Sequence, residues 1–514
     1  MIGHLKSIMA YNEKYKKAII CQFMDYEKFF DKEKLTDVLL EAKRSSISNK
    51  EYRLLYQLNK KRVISVVTPV GESEEEEVAE GLGQGGLESA ILSSNSIGNG
   101  LDDFFRASNR ELYYEDVRLQ AWGYQDDVAR ASSSVEDVRD GVARLEAMAE
   151  VKLLSYNHSK SSLVVLGPKK TRIELENDLK ENPVMLNNLP MKIKHQEKYL
   201  GEEICSSLAA SVVATVRKRR GLVLMTINDI VSIVEDARSG VVGRIVTALK
   251  LWESSLLPFL LNSSETWLDI PNEAMNLLNE IQDIFLWKIL KTPKSTPKIL
   301  MYFDTGQMFM KNRVIQRKLN FLWHLSSLGE ESIAYRIFEQ QRKKEHLPGL
   351  IQEGRKYLEE LGLSLEQMKK YTKSEWKGLI GRKLISSNEE ELRALGKNYR
   401  KTDSKVLEEE NFEVKEYLKT LSYEAAVFKF KYRAQMIETI KCHWKNDQTF
   451  WKDGWSCWEG CKATDRTSHV QRCLGYKHLR EDLDLENDEH LTIYFKRVIE
   501  HRKEKLENNN EVEV

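Results

Sequence analysis

Asp25 closes a short apolar run, Ala18-Ile19-Ile20-Cys21-Gln22-Phe23-Met24, of the kind that forms a buried strand. Asp126 and Asp127 follow Tyr124-Gln125, where two strand-like segments, 119–124 and 128–131, meet. A strand end and a hairpin turn can bring carboxylates this far apart in sequence into one cluster. Acids buried together without a cation raise one another's pKa. Mg²⁺ prefers oxygen ligands and takes few of them from protein. Two such ions, about 3.5–4 Å apart, serve phosphoryl transfer. By itself an Asp-Asp pair in a turn is more often a solvated turn, so the order and spacing of other motifs must decide.

A second set is Cys457, Cys461, His469 and Cys473, spaced Cys-x3-Cys-x7-His-x3-Cys. Soft thiolates with one imidazole make a closed tetrahedral zinc site, structural rather than catalytic. Three of the chain's six cysteines fall in this stretch, which favours a metal over scattered free thiols. Cys442, His443 and His478 stand near as substitutes. Trp444, Trp451, Trp455 and Trp458 are interleaved with lysines. Such rings can stack on single-stranded bases, though packing a small metal domain is the commoner use.

Five motifs in order carry a resemblance. Asp25-Tyr26-Glu27-Lys28-Phe29-Phe30-Asp31 resembles the first palm motif of the reverse transcriptases (RNA-directed DNA polymerases) of non-LTR, LINE-type retrotransposons. Gly81-Leu82-Gly83-Gln84-Gly85 resembles their glycine–glutamine motif, and Tyr124-Gln125-Asp126-Asp127 the tyrosine–any–aspartate–aspartate signature. Asn157-His158-Ser159-Lys160-Ser161, followed by Leu163-Val164-Val165, is similar to the next motif. Lys198-Tyr199-Leu200-Gly201 is similar to the primer-grip turn. Together they span about residues 18–205.

The resemblance implies a role for each position. Asp25 and Asp126 would ligate two catalytic Mg²⁺ ions, with Asp127 as a supporting acid. Phe30 would be the steric gate that rejects a ribose 2′-hydroxyl. Gln84, Gly85 and Tyr124 would lie against nucleotide and template, and glycine permits close backbone approach. Lys160 would protonate the leaving pyrophosphate. Tyr199, Leu200 and Gly201 would hold the primer end. Arg217-Lys218-Arg219-Arg220 becomes a candidate phosphate contact. One structural Zn²⁺ in a Cys-Cys-His-Cys knuckle also fits the family, although its last spacing is often one residue longer. The implied partners are an RNA template, a DNA primer or target DNA, and a dNTP.

Positioning these residues needs an α+β palm with an antiparallel sheet over residues 1–205. An all-α thumb would follow over 206–291, where apolar residues recur at i, i+3 and i+4. Thr292-Pro293-Lys294-Ser295-Thr296-Pro297 reads as a linker. A charged helical connector is expected over 298–440, the zinc knuckle over 441–485 and a disordered tail over 505–514. The acidic run at 74–77 reads as a solvated loop.

The family's fingers motifs do not precede Asp25, and no endonuclease pattern follows the knuckle. The chain therefore resembles an N-terminally truncated element copy or a partial gene model. The alternative to a working polymerase is an inactive remnant that only binds nucleic acid.

Composition excludes several other classes. The chain has 514 residues, 41% hydrophobic and 31% charged, a globular balance. Lysine plus arginine and aspartate plus glutamate are 79 each, so any basic groove must be local. No run reaches the roughly 18 apolar residues of a membrane span. There is no apolar core of a secretory signal near the start. Sparse cysteine fits a reducing compartment, so an intracellular protein of cytoplasm or nucleus is expected.

Overall fold

The computed structural model describes residues 2–45, 47–60, 62–78, 81–82, 87–105, 112–119, 121–236, 242–294, 296–397, 407, 410–434, 457, 459, 461 and 467–510. The fold is mixed α+β. The chain forms two compact units, each drawn from several stretches. The first is Met1–Thr215, Ser263–Pro271 and Lys318–Trp376; the second is Val216–Asn262, Asn272–Arg317 and Lys377–Val514.

The first unit holds a five-stranded sheet. Its strands are β1 (Ile19–Asp25), β2 (Trp122–Tyr124), β3 (Asp127–Ser132), β4 (Ser162–Leu166) and β5 (Lys192–Lys194), in the order β5-β4-β1-β3-β2. All pairs are antiparallel except β4 with β5. β1 lies in the middle and is buried up to Met24, which is why it reads as an apolar run interrupted only by Gln22.

Alternate strand residues meet two helices on one face of the sheet. Ile20, Met24, Val128, Leu163 and Val165 pack with Ile97 and Leu101 of Leu87–Phe105 and with Val138, Val142 and Leu145 of Val135–Val151. The latter helix starts where Ser134 accepts a hydrogen bond from the Asp137 N–H at 3.2 Å. One polar seam crosses this interface. The Gln22 amide donates to the Val138 carbonyl at 3.1 Å, and the Arg130 guanidinium donates to the Asp137 carbonyl at 2.9 Å and pairs with the Asp137 carboxylate. Gly141 faces the seam, and a Cβ there would stand 2.4 Å from Arg130 Nη1.

The sequence pattern and the elements differ in places. The helical spacing from Phe29 to Ala42 resolves into Phe29–Lys32 and Leu35–Arg44, broken at Glu33. The separate periodic stretches 208–217 and 226–236 merge into one helix, Leu208–Asp236. The acidic run is not all loop: Glu76–Val78 pairs with Arg62–Ile64. At the C-terminal end, where a disordered tail was expected from 505, the helix Asp488–Asn510 carries the chain to Asn510.

The second unit is helical. Trp252 stacks on Phe285 at 4.7 Å between ring centres, and both are fully buried. The helix widens to a π-turn over Trp252–Leu256. Pro258 follows; it lacks the N–H of an ordinary turn and would clash with the carbonyl four residues back.

Elsewhere in this unit Asp304 is fully buried, and its carboxylate receives two hydrogen bonds from Arg433, at 2.8 and 3.1 Å, and one from the Tyr417 hydroxyl at 2.7 Å. Arg433 also donates twice to Glu410. Removing one partner of such a pair leaves a buried charge exposed to no compensation. Asp304→Ala is therefore expected to cost about 3–5 kcal/mol. Urea unfolding would read it, and a loss under about 1 kcal/mol would show that Glu410 alone satisfies Arg433.

Candidate functional site

Asp25 ends β1 and Asp127 begins β3, and the two are direct register partners. Asp126 sits beside them in the two-residue turn Gln125-Asp126 that joins β2 to β3, with Tyr124 paired to Asp127. Gln125 takes a φ of 57° to close this turn. Three carboxylates thus collect at one end of the sheet from a strand end and a hairpin.

The loop before β4 completes the surroundings of Asp25. The Asn157 N–H donates to the Asp25 carbonyl at 2.7 Å, and the Asp25 N–H donates to Ser161 Oγ at 3.1 Å. Within the loop the Asn157 side chain accepts from the Ser159 N–H at 3.0 Å and the Lys160 N–H at 3.3 Å, an Asx turn. This brings Lys160 Nζ to 3.4 Å from Asp25 Oδ2. Next to Asp25, Tyr26 stacks on Tyr156 at 4.2 Å and receives its hydroxyl hydrogen bond at 2.8 Å.

Burial raises the Asp25 carboxyl above its ordinary range; Lys160 opposes this, while Asp126 and Glu197 add to it. Asp127 is pushed up to about 6, first by burial and then by Asp126 and Asp25. Asp25 Oδ2 is buried and faces the Lys160 ammonium. The crowded carboxylates thus oppose one another's ionisation.

Phe30 lies on the short helix Phe29–Lys32, half-buried, edge-on to Phe29 at 5.4 Å. The Leu82 N–H donates to the Phe30 carbonyl at 2.6 Å. Gly81 has φ 82°, and a Cβ there would stand 2.7 Å from the Phe30 carbonyl oxygen. The first part of the glycine-rich motif therefore docks on the Phe30 segment and requires glycine. Gln84 and Gly85 lie outside the described residues.

Tyr199, Leu200 and Gly201 form the end of a hairpin, Gln196–Tyr199 with Glu202–Cys205. Leu200 and Gly201 both have positive φ, 47° and 79°, as a two-residue turn of this twist demands. Tyr199 is buried against Phe23 of β1 at 5.3 Å, and burial pushes its phenol up. Behind the turn Glu202 is buried, paired with Lys6, and accepts from Trp267 Nε1 at 2.7 Å. Sequence reasoning missed Lys6, Glu202, Tyr156 and Glu197, because each acts through a partner far away in the chain.

The basic run differs from expectation at one residue. Arg219 is buried and donates to the Leu260 and Asn262 carbonyls at 3.1 and 2.8 Å, so it cannot reach a phosphate. Arg217 pairs with Glu273 and Arg220 with Glu280.

Glu33, just past the Phe30 helix, is 3% exposed and faces Ser96 and Lys152. Burial pushes it up to about 7, against the pull of Ser96 and Lys152. A carboxyl whose folded pKa lies above its unfolded value binds its proton better in the folded state. Stability should therefore fall as pH rises from about 4.5 to about 7, by up to about 3 kcal/mol. Glu33→Gln should flatten that part of the stability profile and stabilise the protein at pH 8. An unchanged slope in urea melts across this range would contradict it.

In the second unit Cys457, Cys461, His469 and Cys473 offer four ligand atoms within 4.8 Å of one another. Cys473 Sγ is 3.7 Å from Cys457 Sγ and 3.8 Å from Cys461 Sγ. A tetrahedron with zinc–sulfur bonds of about 2.3 Å has edges of about 3.8 Å. His469 Nε2 is 3.0 Å from Cys461 Sγ. The helix Thr467–Val470 presents His469, and the Cys473 N–H returns to the His469 carbonyl at 2.8 Å. Tyr476, Leu491, Tyr494 and Phe495 pack around the cluster, and the Tyr494 hydroxyl donates to the Val470 carbonyl at 2.6 Å. The four residues could hold a zinc ion. Cys442, His443, Trp444, Trp451, Trp455 and Trp458 lie outside the described residues, and His478 packs against His501.

No family model matches the chain, and no curated protein matches it. Among solved structures, telomerase from Candida albicans, in complex with a fragment of telomeric RNA, is similar over 67% of this chain and 52% of its own, at 12% identity and a TM-score of 0.29. The chain thus spans about half the length of that protein. A likeness at this level decides neither fold nor function.

Proposed function

We propose that the chain is an RNA-directed DNA polymerase of the non-LTR retrotransposon type, transferring a nucleotide from a dNTP to a primer 3′-hydroxyl. The observation that supports this most is the register match of Asp25 with Asp127, with Asp126 in the adjoining turn. In this reading the five-stranded sheet and its helices are the palm, and the helix Leu208–Asp236 opens a thumb. Asp25 and Asp126 would hold two Mg²⁺ ions, with Asp127 in support. When bound, the ions would activate the 3′-hydroxyl and neutralise the triphosphate.

The remaining steps belong to the chain's own side chains. Lys160, tethered beside Asp25, would give its proton to the departing pyrophosphate. Phe30 would exclude a 2′-hydroxyl, its backbone braced by Gly81 and Leu82. The Tyr199-Leu200-Gly201 turn would hold the primer end, with Glu202 anchoring it from behind. The Cys457, Cys461, His469 and Cys473 set would bind one structural Zn²⁺.

Primer extension on an RNA template with Mg²⁺ and dNTPs tests the reading. Phe30→Val should then raise ribonucleotide use relative to deoxynucleotide use by roughly 10–200-fold, the range that small shape differences command. Salt-sensitive RNA binding without extension would replace the polymerase by a nucleic-acid-binding protein. Extension with no change of sugar preference in Phe30→Val would remove Phe30 from the site.

A further inference from the structure

Residues 62–78 form an arm of two short ladders. Arg62–Ile64 pairs with Glu76–Val78, and Val67–Thr68 with Gly71–Glu72. Between them the Ser73 N–H donates to the Val66 carbonyl at 3.0 Å and the Val66 N–H to Ser73 Oγ at 2.9 Å. At the tip Thr68 Oγ1 donates to the Gly71 carbonyl at 2.9 Å. The arm is ordered by its own hydrogen bonds.

Its side chains are divided by strand. The first strand carries Val63, Ile64, Val66 and Val67, 56 to 77% exposed, and the tip carries Val70 at 96%. The returning strand carries Glu72, Glu74, Glu75, Glu76 and Glu77. The register sets Val63 opposite Glu77, Ile64 opposite Glu76 and Val67 opposite Glu72. Each face therefore mixes aliphatic groups with carboxylates. The outer edge of the first strand pairs with no other strand among the described residues.

Solvated aliphatic side chains on an open strand edge are a hazard that proteins usually blunt with charge or cover. Here the five glutamates are all on the returning strand and the first strand's one charge is Arg62 at its start, so residues 63–67 carry no charge of their own. A second copy of the arm would offer these five glutamates only Arg62 as a basic partner, and a nucleic acid would be repelled. A basic, partly aliphatic strand meets both halves of the surface at once.

We propose that this arm is a docking site for an extended, basic segment of another protein, which adds as a strand to the 62–68 edge. Lysine or arginine side chains of that segment would reach the glutamates, and its aliphatic side chains would cover the valines. The proposal is independent of the polymerase reading.

The test uses the full chain and a fluorescent peptide of alternating lysine and valine, with an oligolysine of equal charge as control, followed by anisotropy at moderate salt. The alternating peptide should bind at least tenfold tighter than oligolysine. Reversing Glu74, Glu75, Glu76 and Glu77 to lysine should weaken it at least tenfold. The triple change Val66→Ser, Val67→Ser and Val70→Ser should remove its advantage over oligolysine, with the melting temperature unchanged because all three are exposed. Equal binding of the two peptides, or indifference to both sets of changes, would overturn the proposal. So would self-association of the chain that the serine variant abolishes, which would make the occupant a second copy.

Discussion

Asp126→Asn is expected to lower Mg²⁺-dependent primer extension by at least about 10³-fold, some 4 kcal/mol of transition-state stabilisation. Asparagine keeps the size of the side chain, so the Gln125-Asp126 turn has no steric reason to open. What is lost is a carboxyl beside Asp25 and Asp127, whose own pKa values are raised first by burial and further by Asp126. The same change therefore should lower the Asp127 pKa and leave folding stability equal or higher. That combination separates a catalytic role from a structural one. The pairing of primer extension with thermal melting reads both quantities. Extension equal to that of the unaltered chain would refute the assignment of Asp126, and a large drop in melting temperature would make the turn structural instead.

The second large effect is expected at the cysteine–histidine cluster. Purified chain should contain zinc in a 1:1 ratio, and Cys473→Ser should lose it. Structural zinc sites bind with apparent free energies of about 10–16 kcal/mol near neutral pH, and that energy is folding energy. The surrounding core is small: Val470, Tyr476, Leu491, Tyr494 and Phe495 close over the ligands. Burial pushes the Cys457 thiol up, so without a cation it stays neutral and contributes only as a weak apolar group. Chelation should accordingly melt this part of the chain and expose it to protease, while the first unit's sheet keeps its protection. Metal analysis followed by limited proteolysis would read both. A metal-free chain with the segment 467–510 still resistant would sink the prediction.

Much of the candidate site was legible in the sequence, for local reasons. An apolar run ended by Asp25 marks a strand end, and Gln125-Asp126 between two strand-like runs marks a turn. Leu200-Gly201 was singled out only by the resemblance to a primer-grip turn, and in the structure both residues take the positive φ of a two-residue hairpin turn. The spacing of Cys457, Cys461, His469 and Cys473 is itself a distance constraint, and the structure brings their four ligand atoms together. Gln84, Gly85 and the tryptophan cluster, equally prominent in the sequence, have no described position to compare.

Other features were not legible, because the partners are remote. Arg219 belongs to a run of four basic residues, and its burial depends on the carbonyls of Leu260 and Asn262. The periodic stretches 208–217 and 226–236 read as separate; in the fold one helix runs through both and through Gly221, where a Cβ would meet nothing within 4 Å. Glu33 looks like any surface acid until Ser96 and Lys152 close around it.

The sequence alone determined strands, turns, helix periodicity and ligand spacing, since these depend on neighbours within a few residues. Only the tertiary structure decided which charges are buried together. Asp304 meets an arginine 129 residues away, and Trp267 reaches Glu202 across 65 residues. Such pairs form because a charge or polar group removed from water must find a partner wherever the packed chain supplies one, and local pattern carries no record of that choice.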